Sequence, residues 1–323
     1  MAESTCILVY IQCDGMVPVN ASLEALSKAR ELAKETGAKA GALLLGSFDE
    51  STENVLKEFG AQCIIKVDLK EYNIQSHGEA LAGVIGKYTP ALVLAGNTPQ
   101  AKDVFAYTAA KLDLVSTPNV SGITKDLGFT IALYGGAVLR EVEVASDKTK
   151  LAIAASGAFK KLPEAAAECE VVVEEFPEAV KDLRTILKES VTEIADSVNL
   201  EEAQVIVACG RGICTPEGVK LAEDLAAVLG GAVGATRPVT ESGEVARTQQ
   251  IGQSGKIVAP KLYIGCGVSG AVQHIAGILG ADYIVAINKD EDAPIFEVAD
   301  VGIVGDAMVI MPMLMEEFKK LKA

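Results

Sequence analysis

Short, continuous runs of aliphatic and β-branched residues alternate with stretches whose apolar residues recur at helical spacing. That alternation constrains the fold more than any other feature of the chain. Apolar runs at 6–11, 42–45, 63–67 and 91–95 are separated by helical patterns at 21–35, 51–59, 78–88 and 101–112. A strand apolar on both faces must be covered on both, and a helix follows each one, so the pattern predicts a parallel sheet between two helical layers. The segment 115–175 breaks the alternation. Its runs at 130–134, 137–144, 151–154 and 170–175 read as strands with no helix among them, and are expected as antiparallel additions to the same sheet.

A polar stretch at 182–199, holding Asp182-Leu183-Arg184 and Lys188-Glu189-Ser190, reads as a connection. Beyond it the alternation restarts with a strand at 205–209. Thr215 fits an N-cap and Pro216 the first helical position, and Gly230-Gly231 stops the helix after Leu229. Further strands are expected at 262–264, 283–287 and 301–304, before a closing helix that ends near Lys322. The chain thus reads as two α/β domains, an N-terminal one at 1–199 and a Rossmann-like one at 200–323, and 323 residues suffice for two cores.

Charge and composition remove several classes of function. The 29 Lys and Arg against 44 Asp and Glu leave a net charge of -15 with no basic run, which repels nucleic acid phosphates and anionic lipid. The longest apolar runs contain glycines and fall short of the ~18 residues a membrane span needs. Glu3 stands where a secretory leader carries basic residues, so a cytoplasmic protein is expected. The seven cysteines are irregularly spaced, without a CxxC, and the chain has only two histidines, His77 and His274. A zinc site is therefore not expected, and the cysteines read as buried free thiols. His77 reads as a surface residue.

Candidate chemistry gathers in the second domain. Gly265-Cys266-Gly267-Val268-Ser269-Gly270 follows a strand and precedes a helical pattern, the context in which G-x-G-x-x-G marks a phosphate-binding turn. The competing reading is a tight strand–helix turn without a ligand. In the expected helix Val268, Val272, Ile275, Ala276 and Leu279 form the buried stripe, with Ser269 and Gln273 on a more polar face. A dinucleotide site calls for a carboxylate about 20 residues on to hold a ribose hydroxyl. Asn288 stands there instead, so the pattern favours a nucleotide cofactor more than NAD. Asp306, at the tip of the next strand, fits an N-cap. Yet the glycine loop, Asn288, Asp306 and Arg211 all fall at strand carboxyl ends, where open parallel sheets bind ligands. The connection 230–260 lacks helical periodicity and is rich in donors, among them Arg237, Gln253, Ser254 and Lys256. A lone loop arginine is ordinarily a solvated charge; the company Arg237 keeps is what singles it out.

Three blocks carry a resemblance. Gly252-Gln253-Ser254-Gly255-Lys256-Ile257-Val258-Ala259-Pro260, Gly267-Val268-Ser269-Gly270-Ala271-Val272-Gln273-His274 and Val285-Ala286-Ile287-Asn288-Lys289-Asp290 together resemble the FAD-binding domain of the electron transfer flavoprotein alpha subunit. Gly210-Arg211-Gly212 and Thr236-Arg237-Pro238 extend the match, whereas the N-terminal half resembles that family only in α/β pattern and length. The resemblance implies one FAD, with Arg237, Gln253, Ser254 and His274 at the flavin. It places Arg211, Thr236, Ser269, Gly270, Gln273, Asn288 and Asp306 along the ribityl, pyrophosphate and adenosine parts, with Ile251, Gly252, Ala271 and Val272 in the same cofactor-binding segments. Ser254 and Thr236 stand where relatives often carry Thr and Ser. The resemblance further implies a heterodimer with a beta subunit. Such a dimer passes electrons between an acyl-CoA dehydrogenase-type flavoenzyme and another acceptor, or bifurcates electrons from NADH. An NAD-dependent oxidoreductase and a nucleotide-binding regulatory module are the alternatives.

Overall fold

The computed structural model describes residues 6–165, 168–181, 183–184 and 199–322. They fall into two compact units, Met1–Leu133 with Ala137–Thr192, and Tyr134–Gly136 with Glu193–Ala323. The connection expected at 182–199 lies almost wholly outside the described residues.

The first unit runs β1 (Cys6–Ile11), a short hairpin β2 (Cys13–Asp14) and β3 (Val17–Pro18), α1 (Asn20–Thr36), β4 (Lys39–Leu45), α2 (Glu50–Glu58) and β5 (Cys63–Val67). It continues with α3 (Ile74–Tyr88), β6 (Leu92–Ala95), α4 (Pro99–Leu112), β7 (Ser116–Ile123), β8 (Phe129–Leu133), β9 (Val138–Val142), β10 (Lys150–Ala154) and β11 (Glu170–Glu174). Nine of these strands form one sheet in the order β11-β5-β4-β1-β6-β10-β7-β8-β9. Alternate residues of β1 face opposite cores. Ile7, Val9 and Ile11 pack beneath α1 and α2 residues such as Leu26 and Leu56, while Leu8 and Tyr10 pack with α3 and α4 residues such as Leu81 and Phe105. Three of the four described helices start where the sequence offers caps: Asp49, Asn73 and Thr98 each accept from first-turn amides of α2, α3 and α4, whereas α1 starts after Val19 without a side-chain cap.

Only part of the expected antiparallel addition forms. β8 pairs antiparallel with β7 and β9, but β10 lies between β6 and β7, parallel to both, and β11 runs parallel to β5. Continuous burial marks β10 as central and says nothing of its direction. β7 is not legible in the sequence because Pro118, Asn119 and Gly122 interrupt it, and Asn119 takes a φ of 59°. His77 is also corrected: it is 3% exposed within α3, edge-on to Tyr72 with ring centroids 5.0 Å apart. Its position on the α3 face that meets the sheet puts it inside.

The second unit runs β12 (Val205–Cys209), α5 (Pro216–Leu229), β13 (Ala232–Ala235), α6 (Arg237–Glu241), β14 (Leu262–Cys266), α7 (Val272–Ile275), β15 (Ile284–Asn288), β16 (Val301–Val304) and α8 (Ala307–Lys322). Its sheet is parallel throughout, in the order β13-β12-β14-β15-β16. Counted within the unit this is 2-1-3-4-5, with the topological switch between β12 and β14. Thr215 caps α5 by accepting from the Gly218 amide at 3.1 Å, and Gly230 ends it at a φ of 72°. The stretch 230–260 is less irregular than the sequence suggests, since β13 and α6 lie within it; Ala-Val-Gly-Ala is too poor in β-branched residues to read as a strand.

The two faces of this sheet are covered differently. On one, Val219, Ala222 and Leu225 of α5 and Met311 of α8 pack on Val207, Ile264 and Ile287. On the other, Ile206, Ala208, Tyr263 and Ala286 are covered by irregular chain carrying Ile251, Val258, Val268, Ile278 and Ile295. The helix expected after the glycine motif therefore shrinks to the four residues of α7, and Val272 and Leu279 are 66% and 46% exposed rather than part of a buried stripe. Gly277 presses on the Gly252 backbone so closely that a Cβ there would lie 2.6 Å from the Gly252 Cα. This segment is thus held by loop packing, with His274, Gly277 and Ile278 as its buried residues.

Candidate functional site

The carboxyl tips of the five parallel strands in the second unit are laced together by their own backbone. The Gly210 amide donates to the Cys266 carbonyl at 2.8 Å, Gly212 to Gly267 at 3.1 Å, Gly267 to Ile287 at 2.8 Å and Gly305 to Asn288 at 2.8 Å. Glycine is required where loops cross. A Cβ on Gly210 would stand 2.1 Å from the Gly267 oxygen, and one on Gly270 2.2 Å from the Ile295 nitrogen, where φ is also +84°. Gly265, first of the G-x-G-x-x-G pattern, lies inside β14, so its three glycines serve strand, turn and loop packing separately.

Onto this frame the structure brings most of the sequence-derived candidates. The loop after β14 exposes Ser269, Ala271, Val272 and Gln273, and the amides from Ser269 to Gln273 have no acceptor among the described residues. Beside it, Gly252 takes a φ of +136°, and the Gln253 amide donates to the Gln273 carbonyl at 2.7 Å, which joins the 252–254 segment to the glycine loop. Thr236 follows β13 and its amide donates to the Cys209 carbonyl at 2.9 Å; Arg211 and Arg237 open the segments after β12 and β13. The exposed side chains of Arg211, Gln253, Ser269 and Gln273 make no hydrogen bond to any described residue. Such a set of uncommitted donors at a sheet's carboxyl edge suits an acceptor-rich ligand.

Other candidates are already engaged. Arg237 Nε donates to Glu241 Oε1 at 2.7 Å across one turn of α6, both side chains exposed. The Asn288 amide donates to the Val268 carbonyl at 2.8 Å and its oxygen accepts from the Asp290 amide at 3.1 Å, so it braces the glycine loop. Asp306 accepts from the Met308 amide at 2.9 Å as the cap of α8 and pairs with Lys289 Nζ at 3.0 Å; the lysine first, then the amide, hold its carboxyl below the usual range.

His274 turns inward. It is 6% exposed, with Nδ1 3.1 Å from the Ile251 carbonyl and Nε2 2.7 Å from the Tyr263 hydroxyl. A carbonyl only accepts, so Nδ1 carries the proton and Nε2 accepts from the tyrosine. Burial pushes its pKa down to about 4, against a smaller opposing pull from the Ile251 carbonyl, and the ring is neutral. Tyr263 is a partner that sequence reading does not reveal, because nothing in the pattern of β14 marks a buried hydroxyl.

Gln250 is the second missed residue. It is buried, its Nε2 donates to Ser254 Oγ at 3.0 Å, and its Oε1 accepts from Thr240 Oγ1 at 2.9 Å. An amide NH2 only donates, so the Ser254 oxygen is used as an acceptor here and its own O–H is left to donate outward. Gln250 thus fixes Ser254 as a hydrogen-bond donor and ties it to α6. Its place in the donor-rich stretch 249–256 is the only signal in the sequence.

The glycine crossings, the uncommitted donors and the oriented Ser254 hydroxyl fit a cofactor with a pyrophosphate and a carbonyl-rich ring. Comparison with known proteins agrees. Residues 199–279 match the model described as the electron transfer flavoprotein FAD-binding domain, and residues 7–180 match the electron transfer flavoprotein domain, so the N-terminal half shares the family's sequence and not only its α/β pattern and length. The electron transfer flavoprotein subunit alpha of Thermoanaerobacterium thermosaccharolyticum is 37% identical over 312 residues, covering 94% of each chain. That of Bacillus subtilis is 37% identical over 308 residues, again with 94% of each chain. The acryloyl-CoA reductase electron transfer subunit beta of Anaerotignum propionicum is 33% identical, covering 94% of this chain and 92% of its own. No described helix is long and apolar enough to cross a membrane. Two α/β units, a donor-lined carboxyl edge on the second, and full-length similarity at this level show that the chain belongs to the electron transfer flavoprotein alpha-subunit family, with its FAD-binding domain in the C-terminal unit.

Proposed function

We propose that this chain is the FAD-carrying alpha subunit of a heterodimeric electron carrier, and that it works with a beta subunit of the same family. It exchanges electrons with a flavoenzyme acting on acyl-CoA thioesters, as the name of the Anaerotignum relative suggests, and with a second redox partner. The observation that carries the reading is the row of uncommitted donors along the carboxyl edge of the second sheet. When bound, FAD supplies the redox chemistry and gathers negative charge on its ring as it is reduced. The protein's part is to hold the cofactor and to place donors and fixed charge. Arg211, Ser269 and Gln273 serve the pyrophosphate end, together with the open amides from Ser269 to Gln273. Ser254, oriented by Gln250, donates to the ring, and Arg237 sets a permanent positive charge near it. His274 supports the ring-side loop through Ile251, with both nitrogens held inside the protein.

The NAD-dependent alternative loses ground at Asn288, whose amide is spent on the Val268 carbonyl and which offers no carboxylate to a ribose diol. The test is the absorption spectrum of the chain co-purified with its candidate beta partner, followed by denaturation and identification of the released cofactor. Flavin bands with released FAD support the carrier reading. One FAD per heterodimer fits a plain carrier, and two fit an NADH-dependent bifurcating arrangement. A colourless preparation that takes up no added FAD overturns it.

Two substitutions probe the roles assigned to residues. Arg237→Ala is expected to lower the flavin potential by roughly 60 mV, a tenfold change for a one-electron couple; the opposing charge of Glu241 keeps the effect from being larger. Spectroelectrochemical titration measures it, and an unchanged potential removes Arg237 from the ring. Gln250→Leu is expected to weaken FAD binding about tenfold, because a buried amide is lost and the Ser254 hydroxyl is free to turn away. Equilibrium dialysis of FAD checks this, and Ser254→Ala in the same background should add little further.

A further inference from the structure

We propose that Cys6 and Cys63 form a two-coordinate site for a soft, thiophilic cation of the Cu(I) or Ag(I) class, at the amino edge of the first unit's sheet. Cys6 opens β1 and Cys63 opens β5, and β4 runs between them. The β4 residue in register with Cys63 is Gly41. A Cβ at Gly41 would lie 2.6 Å from the Cys63 sulfur and 3.5 Å from the Cys6 sulfur. The two thiols therefore reach toward each other across a space that any other residue would fill. Both are half-buried, so ions in solution have access.

This pair is built for bridging rather than for oxidation. Their strands are separated by a third, which puts the backbones roughly 9–10 Å apart at the usual strand spacing. A disulfide needs Cα atoms within about 7 Å, so none forms without breaking the sheet. A linear two-coordinate cation instead spans sulfurs about 4–5 Å apart on metal–sulfur bonds near 2.3 Å. Thiolates select soft ions. Among the described residues there is no group of three or more His, Cys, Asp or Glu placed to complete a tetrahedral site, so zinc is disfavoured. The neighbouring Cys63 thiol and then burial push Cys6 well above the ordinary thiol range, whereas Cys6 lowers Cys63; the Lys39 ammonium favours the thiolate at both sulfurs, and Glu170 opposes it at Cys63. Binding breaks two S–H bonds, forms two S–metal bonds and releases two protons to solvent, with no change of oxidation state. With a monovalent cation the site holds one net negative charge beside Lys39. A bound ion ties β1 and β5 together across β4 and stabilises the first unit by mass action.

The test is anaerobic titration of the reduced full-length chain, FAD-saturated, with Ag(I), read by native mass spectrometry and thiolate-to-metal absorption. One tight equivalent is expected. Its affinity should fall at least 100-fold in Cys6→Ser and in Cys63→Ser, and stay unchanged in Cys13→Ser, a half-buried thiol elsewhere in the same unit. Gly41→Ala should also expel the ion. X-ray absorption on the unmutated, Cu(I)-loaded protein should show two sulfur neighbours, which keeps the proposal testable if a variant folds poorly. An affinity unchanged from the parent in either serine variant, a loss in Cys13→Ser as large as in theirs, or a Cys6–Cys63 disulfide in peptide maps after diamide treatment would each overturn it.

Discussion

Gly210→Ala is expected to destabilise the second unit by about 3 kcal/mol or more and to abolish its retention of FAD. The new methyl would stand 2.1 Å from the Gly267 oxygen, 2.3 Å from its carbonyl carbon and 2.4 Å from the Val268 nitrogen. All three are backbone atoms, so no rotamer change relieves the overlap. The two loops cannot part freely either, because the Gly210 and Gly212 amides donate to the Cys266 and Gly267 carbonyls. Gly210 has a φ of -97°, an ordinary value for any residue, so the substitution isolates close approach from backbone strain. Overpacking of this kind costs about 1–3 kcal/mol, occasionally more, and backbone that cannot yield belongs at the upper end. Gly243→Ala is the matched contrast. Its φ is +85° but no atom lies within 4 Å of the added carbon, so only about 1–2 kcal/mol of left-handed strain is expected. Hydrogen exchange resolved by unit, with the FAD content of the purified protein, separates the two. Gly210→Ala within 1 kcal/mol of the parent and still yellow would mean that the β12–β14 crossing is not the rigid floor of the site.

That crossing also shows what was legible in the sequence and what was not. Alternation of apolar strands and amphipathic helices is a local property, and it placed β1, β5, β6, α1–α5 and β12 near where they lie. Strand direction is not local. The apolar run of β10 looks the same whether parallel or antiparallel, and its neighbours come from distant segments. The glycine motif announced a turn at a strand end, but the identity of what each glycine meets, Gly267 for Gly210 and Ile295 for Gly270, is a tertiary fact. Hydrogen-bond partnership was the least visible layer. Asn288 and Asp306 stood out as strand-tip polar residues, and Asp306 caps α8 as its position suggested, yet only the structure shows that Asn288 braces Val268 and that Asp306 also pairs with Lys289. Gln250 and Tyr263 act through their neighbours and carry no motif at all. The two histidines make the same point from opposite sides: His77 looked solvated and is buried, and His274 looked like a donor to a ligand and donates to Ile251.

Those two histidines are expected to make each unit lose stability as the pH falls from 6.5 toward 4. Burial is the first cause in both cases and pushes each pKa down to about 4. Above pH 6.5 both imidazoles are neutral in the folded and the unfolded chain, and their packing and hydrogen bonds contribute in full. Between 6.5 and 4 the unfolded chain takes up a proton that the folded chain refuses, so unfolding is favoured progressively. At about 1.4 kcal/mol per pH unit, each histidine withdraws up to about 3 kcal/mol by pH 4. Carboxylates held below their usual range, such as Asp49, Glu79 and Asp306, contribute a loss of the same sign, but it sets in lower, as the pH falls through and beneath the ordinary carboxylate values. The interval near pH 5–6.5 therefore belongs to histidine, and with one histidine in each unit the assignment can be made separately. His77→Asn should flatten the pH dependence of the first unit alone, and His274→Gln that of the second alone, even if each lowers stability at pH 7.5 by losing packing and hydrogen bonds. Unit-resolved hydrogen exchange at pH 7.5, 6.0 and 5.0, with FAD saturating throughout, is the measurement. An unaltered slope in the second unit of His274→Gln would mean that His274 is charged, or exposed, in the folded protein. A charged ring must donate from both nitrogens, so the Tyr263 hydroxyl could no longer donate to it, and the same experiment decides which way the Tyr263–His274–Ile251 chain carries its protons.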